Sequence, residues 1–421
     1  MANRNIGKQP EELEYEREKE TLSFEAGKVF TPTVPISEAA LFAGRLDQIR
    51  RIVDAVNQRG QHAVIFGERG VGKTSLANII SSKLQSPSGR VLSPKINCDG
   101  TDSFTKLWRK IFLQVDVLHK KPAPGFKGKS SFFDSERIPE EITPDDIRRL
   151  LTVLSHDEPI IICIFDEFDR LTNLDARRSM ADTIKSLSDN DVSATIVVVG
   201  VADTVDDLIA EHQSIERALV QVQMPRMSTK ELHEILDRGV ERLRMGITDD
   251  AKAHIARLSQ GFPHYTHLLA LHATRMAIDS DESEVSSNYV GWAMTKAVED
   301  TQQSLKSDYH KAVTSPQKDN IYRQVLLACA LTRADEFGYF AAADVRRPLT
   351  ILRNKSCDIP SFARHLNSFT QPQRGPVLRK IGAAHKFRYR FIDPLMQPLI
   401  VMKALSEGKI TMQLINSISQ D

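Results

Sequence analysis

The chain has 421 residues, enough for two to three domains, and its 41% hydrophobic and 26% charged residues are ordinary for a globular protein. It contains no apolar run of about 18 residues, which excludes a membrane-spanning helix, and its start lacks the apolar segment of a secretory signal. The cysteines are scattered, so neither a disulfide framework nor a zinc knuckle is expected. These features predict a cytoplasmic protein. The four cysteines are Cys98, Cys163, Cys329 and Cys357.

The net charge of +1 averages over segments of opposite sign, and the first of these is acidic. The stretch from Glu11 to Glu20 holds six glutamates against Arg17 and Lys19. Segments that are rich in charge and poor in apolar residues are commonly solvated until a partner orders them. We therefore expect residues 1–34 to form an acidic, flexible segment.

From residue 45 onwards the pattern is that of an α/β domain. Apolar residues at helical spacing predict a helix over 46–56, and the apolar run 62–66 predicts a buried strand. Continuous apolar strands that alternate with helices indicate a parallel sheet covered on both faces, which we assign to residues 35–226. The further elements predicted are a helix at 73–84, a strand at 91–97, a helix at 103–117 and strands at 159–165 and 194–199.

After residue 226 helical patterns dominate, which marks a second, all-helical domain over 227–315. A third block, 316–406, has helices followed by two short strands, an order typical of a winged helix. Residues 407–421 are expected to be a C-terminal tail. The elements predicted in these regions are helices at 231–243, 248–258, 265–278 and 285–312, and strands at 377–381 and 387–391.

A glycine-rich motif between the first strand and the second helix predicts nucleotide binding. Residues 67–74 match G-x-x-x-x-G-K-[ST] in full. Its glycines allow backbone N–H groups to point inward at a polyphosphate, and the following helix adds its positive end. Lys73 would neutralise the β/γ-phosphates of ATP, and the Thr74 hydroxyl would help to hold Mg²⁺. The predicted nucleotide contacts are Gly67, Glu68, Arg69, Gly70, Val71, Gly72, Lys73, Thr74 and Ser75.

A second acidic motif ends the most apolar strand. Asp166 and Glu167 follow the run from Ile160 to Phe165, and the carboxyl ends of parallel strands face the ligand crevice. Asp166 is placed to hold Mg²⁺, while Glu167 can polarise the attacking water as a general base. The alternative is an acidic turn that caps the next helix. Asp169 could be a helix cap or pair with Arg170, and it is not assigned a catalytic role.

Together these motifs resemble the AAA+ and STAND P-loop ATPases. The stretch from Gly200 to Leu208 is similar to the G-I-A-N-T-x-D-x-L segment of the origin-recognition (initiator) ATPases, and Leu41 to Arg45 to their F-x-G-R box. The resemblance covers about residues 35–400. It implies an α/β fold with a parallel-sheet P-loop core of the ASCE/AAA+ type, a helical lid domain and a C-terminal winged helix.

Two positions depart from the initiator pattern. The sensor-1 position, usually a neutral polar residue, is Asp203, and a carboxylate near a γ-phosphate is unfavourable unless a cation intervenes. ATP hydrolysis is therefore expected to be slow or stimulated by a partner. In the lid, the sensor-2 arginine is replaced by His264. The preceding Gly261-Phe-Pro263 resembles the STAND signalling ATPases, whose proline packs beside the nucleotide base, so Pro263 and His264 are predicted nucleotide contacts.

Arg217 lies where the relatives carry an arginine finger. Such a residue reaches the γ-phosphate held by a neighbouring subunit and stabilises charge during transfer. The alternative is an ordinary surface arginine on an amphipathic helix. The finger assignment would make the protein a homo-oligomer with Arg217 as a catalytic residue.

The second segment of strong charge is basic. Residues 345–390 contain eleven Lys or Arg and a single acid, Asp358, for a net charge of +10. A winged helix inserts one helix into the major groove and lays its wing along the backbone, which predicts DNA contact through this segment. The alternative is docking onto an acidic surface or a partner protein.

The sequence therefore predicts an ATP-binding and ATP-hydrolysing switch with Mg²⁺ as cofactor. Its nucleotide state would control assembly and the engagement of DNA or a partner protein. The alternative is a STAND-type signalling ATPase of an antiviral defence system that acts with a separate effector chain.

Overall fold

The computed structural model divides into two compact units, one of residues 35–225 and the other combining residues 1–34 with 226–421. The described residues are 10–36, 43–84, 91–120, 139–155, 160–209, 215–317, 320–383 and 386–419. Among them, no helix is long and apolar enough to cross a membrane.

The helices and strands are numbered separately in chain order. The helices are α1 (Pro10–Val29), α2 (Leu46–Asn57), α3 (Lys73–Leu84), α4 (Phe104–Lys120), α5 (Pro144–Ser155), α6 (Leu174–Asp189), α7 (Thr229–Arg242), α8 (Asp249–Ser259), α9 (Pro263–Asp279), α10 (Ser287–Asp300), α11 (Gln303–Val313), α12 (Tyr322–Leu331), α13 (Ala342–Arg353), α14 (Ile359–Ser368), α15 (Met396–Ser406) and α16 (Met412–Ser419). The strands are β1 (His62–Gly67), β2 (Val91–Leu92), β3 (Lys95–Asn97), β4 (Ile160–Asp166), β5 (Ala194–Val201), β6 (Leu219–Gln223), β7 (Gly246–Ile247), β8 (Glu284–Val285), β9 (Phe340–Ala341), β10 (Leu378–Ile381) and β11 (Arg388–Phe391).

A parallel sheet organises the 35–225 unit and confirms the predicted α/β fold. Its strand order is β2-β4-β5-β1-β6, and β3 also pairs with β4. The central strand β5 pairs in parallel with β1, where Val201 lies beside Gly67, and with β4, where Val198 lies beside Phe165. The carboxyl ends of β1, β4 and β5 therefore meet at one edge of the sheet.

Two features of this sheet differ from the sequence prediction. The strand expected at 91–97 is divided into β2 and β3, because Pro94 has no N–H to give to a ladder; its carbonyl still accepts from the Ile164 N–H at 2.9 Å. Strand β6 was not predicted. It pairs with the other side of β1, where Leu219 lies beside His62.

Residues 10–34 are not the flexible segment expected from composition. Helix α1 packs on α9 through a few apolar residues gathered at its end, and the Phe30 ring is fully buried where Gly239 leaves room for it. At the other end, Tyr15 and Lys19 both donate to Asp281, at 2.6 and 2.5 Å. The glutamates dominate the composition, but these contacts order the helix.

The region expected to be an all-helical domain contains a short parallel pair of strands, β7 and β8. The single helix predicted over 285–312 is broken at Thr301 and Gln302, whose extended backbone separates α10 from α11. Helix α15 packs against α8, α10 and α12, and the Tyr265 hydroxyl donates to the Leu395 carbonyl at 2.8 Å. The predicted lid and C-terminal domains therefore form one unit.

The C-terminal elements run in the order helix, strand, two helices, two strands. Strands β10, β11 and β9 form an antiparallel sheet in which Lys380 lies opposite Tyr389. Helix α16 occupies much of the expected tail, with Ile415 buried. Its Ser417 carbonyl accepts from Arg347 of α13 at 3.2 Å, so this segment is part of the fold.

Candidate active site

The glycine-rich loop joins β1 to α3 and is shaped by a close backbone approach. At Gly67, with φ of 148°, a Cβ would lie 2.4 Å from the carbonyl oxygen of Met224. The Met224 N–H donates to the Phe66 carbonyl at 2.7 Å. The backbone that follows β6 therefore packs directly against the start of the loop. Any side chain at residue 67 would disrupt this packing.

Lys73 is buried beneath the loop. Its ammonium donates to the carbonyls of Gly67 and Glu68, at 2.9 and 2.6 Å. Burial lowers the pKa of Lys73 to about 8, so the side chain is mostly protonated at neutral pH and its positive charge is held inside the loop. A phosphate entering the loop would offer this charge a stronger partner than two carbonyls.

The structure brings Thr74 and Asp166 together, as predicted from the two motifs. The Thr74 hydroxyl donates to Asp166 Oδ1 at 3.4 Å, across the start of α3 and the end of β4. Asp166 is only 2% exposed. A hydroxyl and a carboxylate are the hard oxygen donors that Mg²⁺ prefers, so the residues present fit this ion.

Glu167 follows in a left-handed backbone conformation, with φ of 55°. For a residue other than glycine this conformation costs about 1 kcal/mol or more. The side chain is 43% exposed and accepts from Arg170 Nη1 at 2.8 Å. Glu167 must leave this ion pair before it can act as a general base.

Asp169 has a structural role that the sequence did not predict. Its Oδ1 accepts from the Val201 N–H at 2.8 Å, and the absence of a side chain at Gly200 leaves room for this contact. The carboxylate therefore ties the end of β5 to the turn after β4. It is neither a helix cap nor the partner of Arg170.

Two other predicted site residues lie at opposite edges of the sheet. Asp203 follows β5 by two residues and so lies at the edge that carries the loop. Arg217 is exposed in a single helical turn, Glu216–Ala218, that leads into the amino end of β6. It therefore lies at the edge away from its own loop. Ser214, close to it in sequence, lies outside the described residues.

Pro263 and His264 belong to the other unit, where they form the first turn of α9. Gly261 precedes them with φ of 83°, and a Cβ there would lie 2.7 Å from Arg226 Cβ. The His264 ring is bonded through Nδ1 to the Pro32 carbonyl at 2.7 Å. This segment thus has a local role in starting α9 and holding the chain that follows α1.

Sequence reasoning assigned no role to two cations near the site. Arg45 is buried and donates to the carbonyls of Val71 and Pro225, at 3.1 and 2.6 Å, which braces the loop; its place in the F-x-G-R box was the available signal. Leu41 and Phe42 of that box lie outside the described residues. Lys95, on β3, approaches Asp166 Oδ2 to 2.9 Å, and nothing in its sequence context predicts this.

A glycine-rich loop over a buried lysine, with an aspartate and a glutamate two strands away, defines a P-loop ATPase site of the AAA+ class. Residues 56–209 match the family model described as an AAA domain. This part of the 35–225 unit is therefore similar to AAA domains, which confirms the predicted resemblance to the AAA+ ATPases.

Curated relatives include two replication proteins from archaea. An ORC1-type DNA replication protein of Thermoplasma volcanium is 22% identical over 53% of this chain and 52% of its own length. An ORC1-type DNA replication protein 2 of Thermoplasma acidophilum is 22% identical over 56% of this chain and 57% of its own length. The chain thus matches little more than half the length of these relatives.

Solved structures share the fold over nearly the whole chain. The ORC2 protein of Aeropyrum pernix, in ADPNP and ADP complexes, has a TM-score of 0.50 at 14% identity and covers 93% of this chain and 97% of its own. A Walker-type ATPase of Pyrococcus abyssi has a TM-score of 0.55 at 14% identity. The match covers 89% of this chain and 99% of the Pyrococcus abyssi chain.

We predict that Lys73→Met abolishes ADP binding in a calorimetric titration, because the positive charge inside the loop is lost.

Lys73→Met should also change how the free energy of unfolding of the nucleotide-free protein depends on pH. The pKa of Lys73 is about 8 in the folded protein and 10.5 when the lysine is unperturbed, so the unfolded state binds more protons between these values. The free energy of unfolding therefore increases as the pH rises from about 8 to 10.5. This increase should be absent in Lys73→Met.

Urea unfolding of both proteins between pH 7 and pH 10 measures this difference. Lys83→Met, at an exposed lysine of the same helix, is the matched control and should behave like the wild type. Equal pH dependence in Lys73→Met and wild type would contradict the buried-ammonium assignment.

Proposed function

We propose that the protein binds ATP with Mg²⁺ and hydrolyses it, and that its nucleotide state controls assembly and engagement of DNA. The observation that carries the proposal is the meeting of the loop with the acidic end of β4, where the Thr74 hydroxyl lies 3.4 Å from Asp166 Oδ1. The Aeropyrum pernix ORC2 protein, which shares the fold, was solved in complexes with ADPNP and ADP. Its ligands support the choice of an adenine nucleotide for this chain.

The residues divide the chemistry among them. Backbone N–H groups of residues 67–74 cradle the phosphates, and Lys73 neutralises their charge. Thr74 and Asp166 would hold Mg²⁺, which neutralises phosphate oxygens when bound. Glu167 orients the attacking water and accepts its proton.

The resting arrangement favours slow or partner-stimulated hydrolysis. The Glu167 carboxylate is paired through Oε2 with Arg170 at 2.8 Å, so Arg170 competes with the attacking water for the base. Asp203 adds a second negative charge at the same edge of the sheet. A partner that engages Arg170 or neutralises Asp203 would raise the rate.

The position of Arg217 is consistent with an arginine finger that acts between the subunits of an oligomer. Because Arg217 is exposed at the sheet edge away from its own loop, the phosphate that it stabilises must belong to another subunit. This geometry supports homo-oligomeric assembly as the form in which hydrolysis is efficient.

For the C-terminal region we propose a winged helix that contacts DNA. Support comes from the element order α12, β9, α13, α14, β10 and β11, with β10 and β11 as the wing, and from the curated relatives, which are DNA replication proteins. In this arrangement α14 is the recognition helix. Its exposed face includes Ser361, Arg364 and Asn367, while Phe362 is buried beneath it.

The basic residues of 345–390 fall into two groups. Some support the fold: Arg374 donates to the Ala312 and Thr314 carbonyls, at 2.9 and 2.6 Å, and its guanidinium covers the Tyr322 ring. Arg388 pairs with Asp335 at 3.0 Å. Others have exposed side chains that make no ion pair or hydrogen bond within the described part of the chain, which leaves these side chains available to phosphates. These are Lys355, Arg364, Arg379 and Lys386.

No observation favours the STAND-type signalling alternative. The Gly261-Phe-Pro263 element on which it depends has the local role described above, in starting α9. An antiviral role with a separate effector chain stays a prediction from the sequence.

We predict that Glu167→Gln retains ATP binding and slows hydrolysis by about 10²- to 10⁴-fold, the usual contribution of a general base. Phosphate release at saturating ATP and calorimetric titration with ATP measure the two properties. Glu141→Gln, at an exposed glutamate of the same unit, is the control. Normal turnover in Glu167→Gln would show that another group activates the water.

For DNA, the double variant Arg364→Ala/Arg379→Ala should bind duplex more weakly. It should also reduce the slope of log affinity against log salt by about two, because two phosphate contacts are lost. Fluorescence anisotropy over a series of salt concentrations measures both. The matched control is Arg242→Ala/Arg257→Ala, at two exposed arginines outside the basic segment. An unchanged slope in the first variant would exclude these residues from the DNA interface.

A further inference from the structure

Lys95 makes a contact with the acidic end of β4 that none of the assigned functions uses. Its ammonium lies 2.9 Å from Asp166 Oδ2 and donates to Asn78 Oδ1 of α3 at 2.5 Å. The lysine side chain is 17% exposed and the aspartate side chain 3%. This is a mostly buried ion pair between the neighbouring parallel strands β3 and β4.

The two oxygens of Asp166 have different partners. Oδ1 accepts from the Glu167 N–H at 2.9 Å and faces the Thr74 hydroxyl. Oδ2 faces Lys95. The side of the carboxylate that is available to Mg²⁺ is therefore distinct from the side that carries the ammonium.

We propose that Lys95 is a built-in counter-ion that holds Asp166 in place and sets how strongly this site depends on Mg²⁺. A buried carboxylate without a positive partner is strongly destabilising. Lys95 supplies that partner when no nucleotide or metal is bound, so the site is stable before it is loaded. It is a positioning residue, since it acts through Asp166.

The same charge weakens the attraction between Asp166 and a divalent cation. A divalent cation held by the other oxygen of the same carboxylate would be repelled by the ammonium, because like charges this close repel appreciably even in a partly solvated site. Lys95 should therefore reduce the gain in nucleotide affinity that Mg²⁺ provides. This consequence rests on the proposed role of Asp166 as a Mg²⁺ ligand, whereas the stabilising role does not.

The test compares thermal unfolding of the full chain in EDTA with ADP binding in EDTA and in Mg²⁺. Lys95→Met should lower the Tm in EDTA by about 10 °C, as expected for a buried charge left without its partner. The double variant Lys95→Met/Asp166→Asn, which removes both charges, should recover most of that loss. Lys83→Met, at an exposed lysine of α3, is the control and should leave the Tm unchanged.

Calorimetric ADP titrations provide the second readout. The ratio of the ADP Kd in EDTA to that in Mg²⁺ should rise about tenfold in Lys95→Met relative to wild type, because the repulsion is removed. An unchanged ratio would overturn the tuning role. If no protein binds ADP, the proposed function fails, and the melting data still decide whether Lys95 is a counter-ion.

The stability data remain decisive if Lys95→Met does not fold. A folded double variant would then support the pairing of charges, because only neutralising Asp166 as well restores the protein. Loss of stability in the double variant equal to that in Lys95→Met would overturn the proposal, since it would show that the lysine acts through packing alone.

Discussion

The site depends on the parallel pairing of β5 between β1 and β4. This pairing sets the distance between the glycine-rich loop and the acidic end of β4, and places both at one edge of the sheet. Asp169 secures the arrangement by accepting from the Val201 N–H at 2.8 Å. With β5 between β1 and β4, the Thr74 hydroxyl reaches Asp166 Oδ1 across the start of α3 at 3.4 Å. The charges of Lys73, Asp166 and Lys95 are held by this same framework.

Much of this could be predicted because the strongest signals are local. The loop motif fixes the turn, lysine and hydroxyl within eight residues, and the apolar runs that precede Gly67, Asp166 and Gly200 are too continuous for a half-exposed strand. Strand β6 is difficult to predict because it is only five residues long and apolar and polar residues alternate only from Val220 to Gln223. The break at Thr301 and Gln302 has no glycine or proline to signal it.

The missed interactions join residues far apart in sequence. Lys95 looks like an ordinary surface charge until β3 pairs with β4 and brings it to Asp166. Composition predicts a flexible segment over helix α1, because six glutamates outweigh the few apolar residues that anchor it, above all Phe30. The near-neutral total charge is likewise uninformative, since it sums this ordered acidic helix with a basic segment of +10.

We propose that nucleotide bound in the 35–225 unit controls DNA engagement by the basic C-terminal elements. The most direct measurement is the affinity of the full chain for labelled duplex, at one fixed salt concentration, with ATP on the Glu167→Gln background, with ADP, and with no nucleotide. The account predicts that the ATP and ADP affinities differ by about fivefold or more, the usual range of coupling between two sites. Equal affinity in all three conditions would contradict it.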